Sequence, residues 1–338
     1  MPYNLQPQYD CISCPHGGCI SYIRELSKKM KDRDTLYRLS QKAIMACSFD
    51  NYLPGFTTEI SINTTFNDIV NQCINNGLAA GFFLQNNHPN YFGVTEASFG
   101  LTSGQTAKVR GDIFEFLIRA ILWNSSLCKS GLYTGNYPYD TQDIFYGNMK
   151  HSNYIAITLG DNYDLKKLFT PEAAKEFSNF ENYLSNRGTS FCYSTPDLVV
   201  IKCNDNNIWN NYIKPINNLS IPNQNIVNHA RALIEGTVSP EDIVLAAGIK
   251  TSIRSDRMYQ LLFEANAWKT IWRTVYMIPP SKYFGLIGSH YGADPNKLNS
   301  VEFSSVNAGN LDNAEKAIDG LVPISTPAEL MRWYSNAF

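Results

Sequence analysis

The chain has 338 residues, 28 basic against 30 acidic, and a net charge of -2, and a length of this order buries a sizeable core without disulfide or metal staples. So even a charge balance excludes the global positive field of a nonspecific nucleic-acid coat, and any contact with DNA has to be local. No run approaches the roughly 18 apolar residues of a membrane span, and the polar start, Met1 to Gln8, lacks a signal peptide's charged and apolar regions, so the expectation is a cytoplasmic protein with no membrane partner.

Eight cysteines are too few for a disulfide scaffold in a chain this long. Cys11-x2-Cys14-x-His16-x2-Cys19 gathers four potential ligands in one tight turn. Zinc loops separate their ligand pairs by about a dozen residues or more, so ordinary loop cysteines are the preferred reading and structural zinc the alternative. Residues 20–48 read as helix, with apolar positions at Ile23, Leu26, Met30, Leu36, Leu39 and Ile44, interrupted by a basic cluster from Lys28 to Arg33. Such a cluster is ordinarily a solvated face. A turn-rich connection around Pro54-Gly55 leads into a mostly helical stretch over 66–84, and the loop over 85–104 marks a boundary. Residues 1–95 are therefore expected to form a mostly helical N-terminal region, and 96–338 a second domain.

Ile113, Phe114, Leu117, Ala120 and Ile121 predict an amphipathic helix over 111–122, preceded by Lys108 and Arg110. By itself, Glu115 at the edge of that face reads as a snorkelling surface acid. Residues 125–155, crowded with Tyr, Gly, Asn and Ser, read as a long loop or irregular β segment, and Thr170-Pro171 opens a capped helix to Leu184. Ser194 to Ile201 reads as a turn feeding an apolar strand, with Asp197 at its mouth. The asparagine-rich stretch 204–225 shows no period, and a short helix follows over 225–235.

Ile243 to Ile249 is short and β-branched enough to be a buried strand, which puts Lys250 where that strand leaves the core. Beyond it Leu261, Ala265, Trp268, Trp272 and Val275 recur at helical spacing, with Ser255 or Asp256 as N-cap. From Pro279 onward, glycine- and asparagine-rich loops lead to a final helix near 327–333. Two core strands packed side by side would bring Asp197, Lys250 and Glu264 to one edge, a set of groups suited to a hard divalent cation and a nucleophilic water. Arg254, Asp256 and Arg257 crowd the helix start. Two arginines there oppose the helix dipole at a cost of about 0.3 to 1 kcal/mol each unless an anion or a base edge meets them; a solvated ion-pair turn is the plainer reading of these residues alone.

Pro196-Asp197, fifty-two residues, Lys250, thirteen residues, Glu264 resembles the rearranged PD-(D/E)XK motif of the type II restriction endonucleases that recognise CCGG. The ordinary motif carries its second carboxylate two residues before the lysine. Here that position is Gly248, and the family moves the acid to the following helix, where Glu264 falls. Lys250 to Arg257 is similar to the family's recognition segment, and Ala107 to Glu115 to the helix that supplies another glutamate. Within the family these islands, scattered between residues 33 and 268, are most similar to the SgrAI branch.

The resemblance implies an α/β restriction-endonuclease-like core, a mixed β-sheet flanked by helices, behind the helical N-terminal region. It implies Mg2+-dependent double-strand cleavage, with Mn2+ as substitute, of a palindromic duplex DNA site with a CCGG core by a homodimer, a higher assembly on DNA being left open. Asp197, Glu264 and Glu115 would be metal ligands and, with Lys250, the catalytic groups. Arg254, Asp256, Arg257, Lys108 and Arg33 would read or contact the DNA. A non-catalytic DNA-binding protein and a nuclease of low specificity on the same fold are the competing readings.

Overall fold

The computed structural model describes residues 63–71, 74, 103–130, 153–160, 163–216, 221–252, 255–288 and 316–338. Their centre is one mixed five-stranded sheet of β1 (Tyr154–Thr158), β2 (Leu198–Lys202), β3 (Ile243–Lys250), β4 (Lys282–Ile287) and β5 (Gly320–Pro323), lying side by side in chain order. The pairs β1–β2 and β2–β3 are antiparallel, while β3–β4 and β4–β5 are parallel. Leu245, Ala246 and Ala247 of the central strand are all fully buried. Their run is continuously apolar because helices cover both faces of the sheet, so alternation with polar residues has no solvent side to serve.

One face is covered by α1 (Ser103–Lys129), the other by a later helix, here numbered after the intervening α2 (Pro171–Ser185), α3 (Asn206–Tyr212) and α4 (Ile221–Ile234) as α5 (Ser255–Thr270). The C-terminal helix α6 (Pro327–Asn336) lies on the α1 side, where Trp333 meets Phe284 edge to face at 5.3 Å. Ser126 of α1 ties the three elements of that face together: its hydroxyl bonds the Tyr334 hydroxyl at 2.8 Å and accepts from the backbone N–H of Ala156 at 2.9 Å. On the opposite face α5 approaches closely because the sheet carries glycines beneath it. A Cβ on Gly248 would lie 2.5 Å from Leu261 Cδ2, and one on Gly285 would lie 3.3 Å from Leu261 Cδ1. The expected stripe is the packed one, with Leu261, Ala265, Trp268 and Trp272 all 2 % exposed or less. After Thr270 the helix widens into a single π turn, Ile271–Val275, beside the Trp268 and Trp272 rings, whose centroids are 4.1 Å apart.

Several elements depart from the sequence reading. Helix α1 is longer at both ends than 111–122. Ser125 and Ser126, read as loop, are helical and buried, and their hydroxyls are satisfied inside the helix by donating back to the carbonyls of Ile121 and Leu122. The end of the expected loop over 125–155 is strand β1, and strands β4 and β5 occupy the supposed loops of the C-terminal part. Within the asparagine-rich stretch, Asp205 caps α3 by accepting from the backbone of Asn207 and Ile208, and the helix buries Ile208 and Trp209. Thr170 caps α2 as expected, and a Thr326–Glu329 capping box starts α6. Of the N-terminal region, the helical turn at 66–71 packs on the core, Phe66 meeting Phe114 edge to face at 5.4 Å. The expected boundary near residue 95, the helix over 20–48 and the Cys11, Cys14, His16 and Cys19 cluster lie outside the described residues.

Candidate active site

Antiparallel pairing of β2 with β3 places the entrance of one strand beside the exit of the other, which puts Asp197 next to Lys250. The ladder's last pairs are Leu198 with Ala247 and Val199 with Ala246. One step beyond, the Asp197 carboxylate takes over from the backbone: Oδ2 accepts from the N–H of Ile249 at 2.6 Å and from the Lys250 ammonium at 3.0 Å. The neighbouring Pro196 is buried, and the Asp197 carbonyl accepts from Leu159 N at 3.2 Å, so the backbone that carries the carboxylate is fixed on both sides.

Glu264 arrives from α5, one turn after Gln260 and in line with the buried stripe. It is 2 % exposed. Its Oε2 accepts from the Tyr283 hydroxyl at 2.8 Å and its Oε1 from the Gln260 amide at 2.9 Å. Burial pushes its carboxyl above the ordinary range, and the charge of Asp197 adds to that. Lys250 and the two hydrogen bonds act in the opposite sense. Tyr283, fully buried beside that carboxylate, has its hydroxyl pushed far up and is held as a neutral donor.

Two cavities meet at this edge. One, of about 650 Å3, is lined by Asp197, Glu264 and Gln260 together with Tyr163, Tyr193 and Thr195. The other, of about 470 Å3, is lined by Lys250, Thr251, Arg257, Glu115, Phe114 and again Gln260. Asp197 and Glu264 thus face one space and the lysine paired to Asp197 opens on the next. Hard carboxylate oxygens with no thiolate or imidazole among them suit Mg2+ or Mn2+, and Mg2+ is commonly held by one or two carboxylates with water and phosphate oxygens completing its shell. Burial, and to a lesser degree the charge of Asp197, disfavour a charged Glu264, a cost that a bound cation would offset. The residues therefore fit such an ion. Among the described residues no group of three or more His, Cys, Asp and Glu forms a ready-made cage, so the two carboxylates would share the ion with water and phosphate oxygens.

The family model that matches residues 57–338 is that of the Cfr10I/Bse634I restriction endonucleases. The chain belongs to the Cfr10I/Bse634I restriction endonuclease family. It is accordingly a site-specific DNA-hydrolysing nuclease. The structure is similar to that of the Bse634I restriction endonuclease, with a TM-score of 0.64, 19 % identity, and 87 % of this chain and 90 % of that one covered. A crystal structure of the type IIF enzyme Bse634I with cognate DNA is similar with a TM-score of 0.61, at 20 % identity and the same coverage. Identity this low carries the likeness of fold alone. No sequence among curated proteins matches. The SgrAI branch suggested by the sequence islands is corrected to the Cfr10I/Bse634I branch, since islands of a few residues around a shared site do not separate relatives that all keep that site. No helix among the described residues is long and apolar enough to cross a membrane.

Of the site residues expected from the sequence, Asp197, Lys250 and Glu264 come together. Glu115 lies across the smaller cavity, on the Lys250 side. One turn further along α1, burial and the nearby Arg231 pull the Arg119 guanidinium down to about 10, against the opposing charge of Glu115. Arg257 shares that cavity and donates to Thr251 Oγ1 at 3.3 Å. Arg254 and Arg33, with the side chains of Asp256 and Lys108, lie outside the described residues. Sequence reasoning missed Gln260 and Tyr283. The four-residue spacing from Gln260 to Glu264 was a usable signal; nothing local marked Tyr283, which reaches the site from an unforeseen strand.

Proposed function

We propose that this chain is a type II enzyme that cuts both strands of duplex DNA at a palindromic site with a CCGG core, using Mg2+ and acting as a homodimer. The observation that carries the reading is the joining of Asp197, Lys250 and Glu264 where β2 enters and β3 leaves the sheet, two carboxylates on one cavity and the lysine bonded to the first of them at 3.0 Å. Asp197 and Glu264 would hold the ion, with water and phosphate oxygens completing its shell, while Glu115 stands apart from that pair across the smaller cavity. When bound, Mg2+ supplies charge to the scissile phosphate and acidifies a water. Lys250 positions that water and offsets phosphate charge. The water's oxygen forms the new bond to phosphorus and gives up a proton to solvent as the ester P–O bond breaks, and the departing oxygen takes up a proton.

Arg257, with Arg254 and Asp256 adjoining it in the sequence, suits G·C pairs: guanidinium forks pair with guanine O6 and N7, and a carboxylate accepts from the cytosine amino group. Lys108 and Arg33 extend the proposed contact to the flanks. Two-fold DNA is matched most simply by a two-fold protein with one site per strand, and Bse634I, the similar fold, has been crystallised with its cognate DNA.

The test is plasmid DNA carrying CCGG sites. Discrete fragments are expected with Mg2+ and none in EDTA, while Ca2+, held by the same oxygens in looser geometry, should support binding with little cutting. A smear would replace the reading with a nuclease of low specificity. Full cleavage in EDTA would remove the metal from it. A second expectation concerns Arg257→Ala. A bidentate guanine contact contributes about 1 to 3 kcal/mol of discrimination, so preference for a CCGG duplex over a scrambled one should fall about 10- to 100-fold, read by competition binding in Ca2+. Equal weakening on both duplexes would mark Arg257 as a phosphate contact.

A further inference from the structure

Glu264 makes two hydrogen bonds of different character. The Tyr283 hydroxyl that meets Oε2 at 2.8 Å comes from β4, beneath α5, on a residue with no solvent exposure. Its place is fixed from behind, since the backbone N–H of Tyr283 donates to Asp319 Oδ2 at 2.7 Å. Gly248 makes room for the bond: a Cβ there would stand 3.1 Å from both the Tyr283 oxygen and Glu264 Oε2. The Gln260 amide that meets Oε1 at 2.9 Å belongs instead to an exposed residue that borders both cavities. One bond is built into the core and the other spans an opening.

We propose that Tyr283 is a positioning residue that clamps Oε2 of Glu264 and so presents Oε1 to the cavity shared with Asp197, and that Gln260 is a displaceable latch occupying Oε1 until a cation takes it. The inference rests on the reading of Glu264 as a metal-holding carboxylate. Glu264 has three χ angles through which its carboxylate can swing, so a metal-holding role on α5 calls for an anchor. Tyr283 supplies it from the adjacent strand. A group that orients a metal ligand is commonly worth about 10- to 100-fold in metal affinity. A donor that competes with the metal for the ligand oxygen acts in the other direction, which gives the two residues opposite signs.

The experiment is Ca2+ titration, by calorimetry, of the protein bound to a CCGG duplex, for the wild type, Tyr283→Phe and Gln260→Ala. Tyr283→Phe should weaken Ca2+ binding about 10- to 100-fold and raise the Mg2+ concentration for half-maximal cleavage in proportion, with affinity for the duplex in the absence of metal unchanged. Gln260→Ala should bind Ca2+ about three- to tenfold more tightly, because one hydrogen bond to a charged oxygen no longer has to be broken. A merely structural role for either residue would lower the unfolding temperature and the DNA affinity without this divergence. If Tyr283→Phe does not fold, Gln260→Ala decides: equal or weaker Ca2+ binding overturns the latch and with it the division of the two oxygens. Wild-type protein that neither binds Ca2+ nor cuts the duplex would remove the underlying reading as well, whereas a wild type that does both and two variants that match it would overturn this inference alone.

Discussion

Lys250→Ala will cut its DNA about 10²- to 10³-fold more slowly at saturating substrate, the usual cost of losing one charged group that meets developing charge in a closed site, while still binding the cognate duplex in Ca2+. The side chain is 12 % exposed and bonded to Asp197 at 3.0 Å. Its removal strips Asp197 of the ammonium bonded to it as a phosphate arrives, and Lys166, which lines the same cavity, is already paired to Glu181. The fold should tolerate the change, because Asp197 Oδ2 keeps its 2.6 Å bond from the Ile249 backbone and a partly exposed ion pair contributes little to stability. The loss should therefore sit in the single-turnover rate and spare both the unfolding temperature and the DNA affinity. Lys250→Arg should recover little, since a planar fork does not replace a point charge that holds one water. A rate within threefold of wild type for the alanine variant would remove Lys250 from the chemistry.

What the sequence made legible was whatever a short run could state alone. Leu198 to Ile201 and Ile243 to Ile249 are continuous apolar runs, and each announces a buried strand whose polar flanking residue must lie where the strand leaves the core. The closeness of Asp197 and Lys250 followed from that pattern once the two strands were taken as neighbours. The stripe from Leu261 to Trp272 was equally plain, and with it the inward placing of Glu264. Elements whose stability comes from distant partners stayed hidden. Gly285 interrupts β4, and its small size has meaning only because Leu321 and Leu261 press in, 2.6 and 3.3 Å from where a Cβ would stand. Strand β5 is four residues bounded by Gly320 and Pro323, a composition shared with any turn. Helix α3 depends on Asp205 as cap and on a pocket for Trp209, neither visible as a period among asparagines. Tyr283 inherited the obscurity of its strand.

Glu264→Gln will abolish measurable cleavage, a loss of at least about 10²- to 10³-fold, and the same change will stabilise the metal-free protein at neutral pH. The first effect follows from removing one of the two carboxylates on the larger cavity. The second follows from burial. A carboxyl whose folded pKa lies above its unfolded value of about 4.3 contributes stability below that value and loses it as pH rises through the folded pKa. Glu264, pushed up chiefly by burial, therefore costs the fold stability in its charged form, and the neutral amide does not. In EDTA the unfolding temperature of Glu264→Gln should exceed that of wild type by about 2 °C or more at pH 8, with the gap closing toward pH 4. Gly248 explains why the acid cannot be doubled. A Cβ at that position would meet Leu261 Cδ2 at 2.5 Å as well as the Glu264 and Tyr283 oxygens at 3.1 Å, so a strand carboxylate and a helix carboxylate compete for one volume. Gly248→Asp in the wild-type background should lower both stability and cleavage. Combined with Glu264→Ala and Leu261→Ala, which empty that volume at a core cost of about 2 to 5 kcal/mol, it should return part of the activity at raised Mg2+. Wild-type cleavage by Glu264→Gln would instead transfer the second metal-holding role to Glu115 across the smaller cavity.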